Sequence, residues 1–449
     1  MITGVIEGFY GRAWHEDQRV TMLDWIGSAG MNTYIYAPKD DIHVRARWRQ
    51  AYGAEQLEIL TRLIASAKAH NIAFMAAIAP CLDITYSSVD DLNQLLRRID
   101  QLWGIGARQF ALLFDDIPNS LPEQDKAHFT SFAAAQSHIA NAVLDHVRKL
   151  GGGTLLFCPT EYCARFANMD VPGSEYLNTL GQSLDPEIGV FWTGPEIVSA
   201  TITAASLQEI GTVLRRKPVI WDNFHANDYD IRRVFAGPLG GRASDILPYI
   251  SGFITNPNNE LDANFVPIHT TGAFLAAAQY DEDQALAAAI SDWHPRFELA
   301  FGPEGERLPD DELRLLIALF YQPFQCGAET IEMLGLAKAL LSAPRPAITD
   351  EWHQGAERLR KFKERITSLF DHMTELKDRE LFHTFHPYLW EAREEVTHLV
   401  TYLDWLAQAP ATEEVFPSRD RIYNFYRQGF AVAIQEMLPR DEKGNYHHD

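Results

Sequence analysis

Short runs of consecutive apolar residues recur through about the first 260 positions of the chain, and segments with helical spacing separate them. A strand buried on both faces reads as a continuous apolar run, and strand–helix alternation is typical of βαβ units. Eight such units in this length predict a (β/α)8 TIM barrel, with a doubly wound open sheet as the alternative. The runs lie at residues 4–7, 33–37, 73–79, 109–114, 154–158, 190–192, 218–221 and 252–255.

The strand pattern stops after about residue 272. Beyond it, apolar residues recur at spacings of three and four, which indicates amphipathic helices. These helical segments lie at residues 282–293, 311–342, 350–376, 380–408 and 418–437. We therefore predict an α/β barrel at residues 1–270, an all-α helical domain at residues 271–437 and a flexible tail at residues 438–449.

Composition excludes several classes of protein. The formal net charge of −22 argues against a nucleic-acid partner or an anionic membrane, because both need a basic surface. The four cysteines are too few for this length to suggest a disulfide framework. No apolar stretch approaches the roughly 20 residues that span a bilayer, and the N-terminus lacks the basic and apolar regions of a signal peptide. We therefore expect a soluble cytoplasmic protein, unless a leader has been removed.

The most informative residues are Asp115 and Asp116, which follow the apolar run at residues 109–114. Ionised aspartate is rarely buried without a partner, and barrels carry their catalytic residues at the carboxyl ends of the strands. Successive strand residues point to opposite faces, so both carboxylates can face one ligand only if the strand ends between them. Pro118 supports such a break. We predict that Asp115 and Asp116 are a catalytic pair.

Other predicted strand ends carry side chains that suit a sugar. Asn and Asp offer paired donors and acceptors for hydroxyls, and Trp offers an apolar face for the C–H side of the ring. These strand-end segments are residues 8–12, 38–41, 158–162, 191–194, 220–229 and 255–258. His225, Asp228 and Asp230 are alternatively candidate metal ligands, although no second cluster of histidine and acid supports them. We expect no metal and no cofactor.

Seven blocks of the sequence, in order and in register, resemble glycoside hydrolase family 84, which contains O-GlcNAcases and bacterial β-N-acetylglucosaminidases. The resemblance spans about residues 3–267, and the helical remainder resembles the family's stalk region only in position and character. The blocks are residues 4–12, 30–41, 113–116, 158–162, 192–194, 221–228 and 255–257.

The resemblance implies a role for each site residue. Asp115 resembles the residue that holds the acetamido N–H of the substrate, and Asp116 resembles the general acid/base. Tyr162 resembles the phenol near the acetamido oxygen, and Asp228 resembles the residue that grips two sugar hydroxyls. The other pocket positions are Gly8, Lys39, Thr193, Trp221, Asn223 and Asn256.

The resemblance therefore implies a retaining β-N-acetylglucosaminidase that removes O-linked GlcNAc from Ser or Thr of proteins. Substrate-assisted catalysis, in which the acetamido oxygen attacks the anomeric carbon to give an oxazoline, would explain two acids side by side. Lys39 should favour ionisation of whichever aspartate it approaches, and the sequence does not say which. The alternatives are a catalytically dead barrel that binds GlcNAc, and an enzyme that acts on oligosaccharides. A homodimer is also possible.

Overall fold

A closed barrel of eight parallel strands, in the order β1 to β8, forms the first part of the molecule. The computed structural model describes residues 1–343, 348–408, 416 and 429–438. Each predicted apolar run matches a strand to within two residues, and the predicted TIM barrel is confirmed. The strands are β1 (Ile2–Glu7), β2 (Thr33–Tyr36), β3 (Ala73–Ile78), β4 (Gln109–Leu113), β5 (Leu155–Cys158), β6 (Gly189–Trp192), β7 (Val219–Asp222) and β8 (Gly252–Thr255).

The apolar runs arise from burial on both faces of the sheet. In β4, each residue from Phe110 to Leu113 is at most 1% exposed. Interior side chains meet inside the barrel, while those on the other face pack against the surrounding helices, so both faces of a strand such as β4 favour apolar residues. The helices that follow the strands are α1 (Glu16–Ser28), α2 (Ala54–Ala69), α3 (Val89–Gly104), α4 (Phe132–Leu150), α5 (Glu175–Ser183), α6 (Ala204–Leu214) and α7 (Phe265–Ala276).

The later part of the chain is helical within the described residues. These helices are α8 (Glu282–Trp293), α9 (Asp310–Leu319), α10 (Ala328–Leu341), α11 (Asp350–Thr374), α12 (Arg379–Gln408) and α13 (Phe430–Met437). The single helical segment expected at residues 311–342 is two helices. They are separated before Gly327, where a Cβ would lie 2.7 Å from Ala318 Cα. The expected helix at 418–437 is described only as α13, and residues 418–428 and the tail at 439–449 lie outside the described residues.

The contacts divide the chain into two compact units that interleave in sequence. The first unit comprises Met1–Asp228, Leu239–Leu261 and Ile268–Glu282, and it contains the whole barrel. The second comprises Tyr229–Pro238, Asp262–Pro267 and Asp283–Asp449. The domain limits inferred from the sequence stay predictions. No helix among the described residues has the length and apolar character needed to cross a membrane.

A buried ion pair fixes the loop that follows β1. Glu7, the last residue of β1, is fully buried, and its Oε2 lies 2.8 Å from Arg19 Nε of α1. Glu7 Oε1 also accepts the backbone N–H of Trp14 at 3.0 Å. One carboxylate therefore holds both ends of the loop at residues 8–14, which carries part of the candidate site.

Candidate active site

The two adjacent aspartates follow β4 at the carboxyl end of the barrel. β4 ends at Leu113, although the amide of Phe114 still donates to Cys158 O at 2.9 Å. The prediction that the strand ends between the aspartates is wrong, because it ends before both. The turn comes instead from Asp116, whose φ of 55° lies in the left-handed region that aspartate tolerates better than most residues.

Asp115 is a buried carboxylate held by two cations. Lys39 Nζ donates to Asp115 Oδ2 at 2.5 Å, and Arg45 Nη1 lies 3.8 Å from the same oxygen. Burial would raise the pKa of Asp115, but Lys39 and then Arg45 outweigh it and hold that pKa below its ordinary value. Asp115 is therefore ionised at neutral pH. The aspartate that Lys39 approaches, which the sequence left open, is Asp115.

The second oxygen of Asp115, Oδ1, is buried and has no hydrogen-bond partner in the part of the chain that the structure describes. Buried polar atoms in folded proteins nearly always have a partner, so an unpaired acceptor at a strand end is a place for a donor from a ligand. The carboxylate is thus anchored through one oxygen and available through the other.

Asp116 receives a hydrogen bond on each carboxylate oxygen. Tyr10 Oη donates to Oδ2 at 2.9 Å, and Tyr162 Oη donates to Oδ1 at 2.8 Å. Burial and the neighbouring Asp116 raise the pKa of Tyr10 to about 12, and the same two causes raise the pKa of Tyr162. Both phenols therefore remain protonated donors at neutral pH, and Asp116 in this structure accepts at both oxygens.

A second connected group lies at the ends of β7 and β8. Trp221 Nε1 donates to Asn223 Oδ1 at 2.9 Å, and Asn256 Nδ2 donates to the same oxygen at 3.0 Å. Asn256 Oδ1 is buried, and no group in the described ranges hydrogen-bonds to it. A Cβ on Gly8 would lie 2.8 Å from Trp221 Cζ2, so a larger residue at this position would push against the indole. This group therefore offers an indole face and one unpaired acceptor.

The loops after β1, β7 and β8 are tied together by side chains. Asp228 Oδ2 accepts the backbone N–H of Tyr10 at 2.9 Å, and Asn259 Nδ2 donates to Tyr10 O at 2.7 Å. Asn259 also receives Trp14 Nε1 on its backbone oxygen at 2.7 Å and donates its N–H to Asn227 Oδ1 at 2.9 Å. The position of Tyr10 is thus set by two other loops.

Thr193 lies beside Tyr162, but its hydroxyl serves its own loop. The backbone N–H of Thr193 donates to Tyr162 O at 2.9 Å, whereas its Oγ1 donates to Glu196 O at 2.7 Å. In this structure Thr193 supports the backbone that carries Tyr162.

The comparison with known families decides the assignment. The model of the family described as beta-N-acetylglucosaminidase matches residues 3–301, about two thirds of the chain. The chain belongs to the β-N-acetylglucosaminidase family, glycoside hydrolase family 84. The resemblance to this family of glycoside hydrolases is confirmed.

Named relatives of this family member agree. Protein O-GlcNAcase of Mus musculus and that of Rattus norvegicus are each 46% identical over 269 residues, which cover 60% of this chain and 29% of theirs. The chain thus spans less than a third of the length of these curated relatives. A solved structure of a mutant O-GlcNAc hydrolase from Thermobaculum terrenum is similar, with a TM-score of 0.76 and 28% identity. That similarity covers 89% of this chain and 82% of the other.

Among the described residues of this glycoside hydrolase family member, no group of three or more His, Cys, Asp or Glu side chains is arranged to hold a metal ion. The alternative of a site at His225, Asp228 and Asp230 is therefore not met by the geometry. Asp228 instead accepts the N–H of Tyr10.

Two residues of the site were missed from the sequence. Tyr10 lies within a block that resembles the family, between Gly8 and Gly11, and this pair of glycines is a signal that could have found it. Arg45 lies six positions beyond Lys39 in a loop with no periodic pattern. Nothing in the local sequence distinguishes it from its neighbours Arg47 and Arg49.

Proposed function

We propose that the chain is a retaining β-N-acetylglucosaminidase that removes O-linked GlcNAc from serine or threonine of proteins. The observation that carries the proposal is the anchored carboxylate of Asp115, which Lys39 holds ionised and which keeps a buried acceptor oxygen unpaired among the described residues. Asp116, the next residue, supplies a second carboxylate on the same short turn.

In the proposed reaction, Asp115 Oδ1 accepts the N–H of the 2-acetamido group. This contact aims the acetamido carbonyl oxygen at the anomeric carbon, so the nucleophile belongs to the substrate. Because it is already tethered to the sugar, it acts at a high effective concentration. The charge of Asp115 then stabilises the positive charge that develops on the oxazolinium-like ring.

Asp116 performs the proton transfers in this proposal. Protonated Asp116 gives its proton to the leaving oxygen, and the resulting carboxylate then takes a proton from the water that opens the oxazoline. The acetamido oxygen attacks the anomeric carbon from the face opposite the leaving group, and water then attacks from the face opposite the acetamido oxygen. Each attack inverts the anomeric carbon, so the two together retain its configuration. The phenols of Tyr10 and Tyr162 each contact one oxygen of Asp116 and so orient its side chain.

Protein groups at the ends of β7 and β8 match the sugar ring. Asn256 Oδ1 is a buried acceptor for a ring hydroxyl, and Trp221 offers an apolar face to the C–H side of the ring. The resemblance assigns Asp228 to two hydroxyls, and its link to Tyr10 N places it on the same rim. The names of the mouse and rat relatives support protein-linked GlcNAc as the substrate.

The test has two parts. Hydrolysis of an aryl β-GlcNAc followed by proton NMR should show the β-anomer of GlcNAc first, and either no turnover or the α-anomer first contradicts the mechanism. A GlcNAc-modified peptide should then be cleaved with a higher kcat/KM than chitobiose. The reverse order would favour an oligosaccharide substrate and overturn the assignment to proteins.

A further inference from the structure

We propose that Arg45 is a positioning residue for the acid/base pair. It clamps the backbone of Asp115 and Asp116, and it directs the phenol proton of Tyr10 onto Asp116. The inference rests on the proposed glycoside hydrolysis and adds a residue that neither sequence pattern nor resemblance assigns.

Arg45 holds the backbone turn at the two aspartates. Arg45 Nη2 lies 3.4 Å from Asp115 O and 3.3 Å from Asp116 O, so one guanidinium nitrogen faces two successive carbonyls. Asp116 has a φ of 55°, a conformation that a side-chain-bearing residue keeps only when its surroundings hold it. Arg45 supplies that hold, since its Nη2 donates to both carbonyl oxygens while its Nη1 donates to Tyr10.

Arg45 also sets the direction of the Tyr10 hydroxyl proton. Arg45 Nη1 donates to Tyr10 Oη at 3.1 Å, and Tyr10 Oη lies 2.9 Å from Asp116 Oδ2. Arginine has no acceptor, so the phenol oxygen must accept from Arg45 and give its own proton to Asp116. Arg45 therefore fixes which way the Tyr10 hydroxyl points.

The polar contacts of Arg45 serve the candidate site. Its hydrogen bonds and ion pair, within the described part of the chain, go to Tyr10, Asp115 and Asp116, and its side chain is 10% exposed. Two arginines of the same loop behave differently. Arg47 contacts Gln50 on the surface, and Arg49 binds Asp83 and Asp91. Anchoring the loop is therefore the task of Arg49, and Arg45 is left to the catalytic pair.

The test separates two properties of Arg45: the guanidinium group that donates through two nitrogens, and its positive charge. Arg45→Lys keeps a cation near Asp115, but one ammonium cannot reach both carbonyls and the Tyr10 phenol. Asp115 itself remains held by Lys39. We expect Arg45→Lys to lower kcat/KM on phenyl β-GlcNAc by about tenfold, the effect of one lost hydrogen bond, and by less than about twofold on 2,4-dinitrophenyl β-GlcNAc, which needs no acid.

The pH profile provides the second readout. Arg45→Met removes the charge as well, so the acid limb of its kcat/KM profile should move to higher pH, whereas the limb of Arg45→Lys should stay in place. Arg47→Lys and Arg47→Met are the matched controls, since Arg47 is an exposed arginine of the same loop. They should match the wild type on both substrates.

The outcomes are distinct. Equal losses of Arg45→Lys on the two substrates, or no loss on either, would overturn the inference while leaving the proposed function intact. A wild-type protein that turns over neither substrate would overturn both. If the Arg45 variants do not fold, Tyr10→Phe replaces them, because it removes the hydroxyl that Arg45 directs. It should show the same loss confined to the phenyl glycoside, and its failure to do so contradicts the role given to Arg45.

Discussion

Lys39 Nζ lies 2.5 Å from Asp115 Oδ2, and the two side chains are 4% and 8% exposed. Removing charges from water is costly, so a buried pair of this kind is poor evidence for stability by itself. Its value here is functional. The pair keeps one carboxylate ionised in a place from which water is largely excluded, next to a second carboxylate that must exchange a proton.

Replacement of Lys39 tests this relationship. In Lys39→Met the burial of Asp115 is opposed by Arg45 and a backbone hydrogen bond but no longer by Lys39, so the pKa of Asp115 should rise and the acid limb of kcat/KM should move to higher pH. We also expect a loss of about 3–5 kcal/mol in the free energy of unfolding at neutral pH, because a buried charge loses its partner. Lys126→Met, at an exposed lysine paired with Glu123, is the control and should change neither quantity. An acid limb that stays in place would contradict the role of Lys39.

The same pair predicts the sign of a pH effect on stability. The pKa of Asp115 is lower in the folded protein than in the unfolded chain. Its contribution to stability is therefore fully present above the unfolded value of about 3.9, and it is lost as the pH falls through the lower folded value. Urea unfolding of the wild type and of Lys39→Met should give a stability difference that shrinks as the pH falls below about 4. A stability difference between the two proteins that grows at acidic pH would contradict the lowered pKa of Asp115.

Glu161 predicts a pH effect on stability of the opposite sign. Burial raises the pKa of Glu161, despite hydrogen bonds from Ser174 and Asn119. The ionised form is thus disfavoured in the folded protein, and stability falls as the pH rises from the ordinary value through the raised one. Glu161→Gln should therefore gain more stability relative to the wild type at pH 7 than at pH 4. Glu175→Gln, at an exposed glutamate of α5, should show no such trend.

Replacement of Asp115 and replacement of Asp116 should reduce activity in different ways. Asp116→Asn removes the acid, so we expect a loss of about 100-fold or more on glycosides with poor leaving groups and a smaller loss on activated aryl glycosides. Asp115→Asn removes the charge that orients the amide and should be poor on both. Kinetics on the two substrate classes decide the matter, and equal behaviour of the two variants would refute the division of roles.

Fluorination of the acetamide should slow the wild type steeply, and indifference to it would indicate a nucleophile on the protein.

Gly8 predicts a packing effect. The Cβ of Gly8→Ala would lie 2.8 Å from Trp221 Cζ2, so the indole must shift. We expect a loss of about 1–3 kcal/mol in the free energy of unfolding and a raised KM for aryl GlcNAc. Gly104→Ala is the control, because a Cβ there meets no atom within 4 Å and Gly104 lies in α3. An unchanged KM in Gly8→Ala would show that the indole does not contact the sugar.

The barrel was predictable because its strands are buried on both faces. In β4, a continuous apolar run is the direct consequence of this burial, and it ends where the polar site begins. The site residues at strand ends follow from the same rule, since parallel strands of a barrel bring their carboxyl ends together.

The parts that escaped prediction depend on long-range contacts. Arg45 reaches Asp115 and Asp116 across about 70 positions of sequence, and no local pattern records such an approach. The φ of Asp116 is likewise set by its surroundings. The break between α9 and α10 depends on the close approach of Gly327 to Ala318, which apolar spacing alone does not reveal.

The links made by Asn259 to Tyr10, Trp14 and Asn227 have a consequence for protein engineering. Three loops, from opposite ends of the barrel sequence, are therefore held together as one structural unit. A loop transplanted alone from another hydrolase would arrive without its counterparts and would misplace Tyr10. Attempts to redirect selectivity should therefore exchange the three segments together.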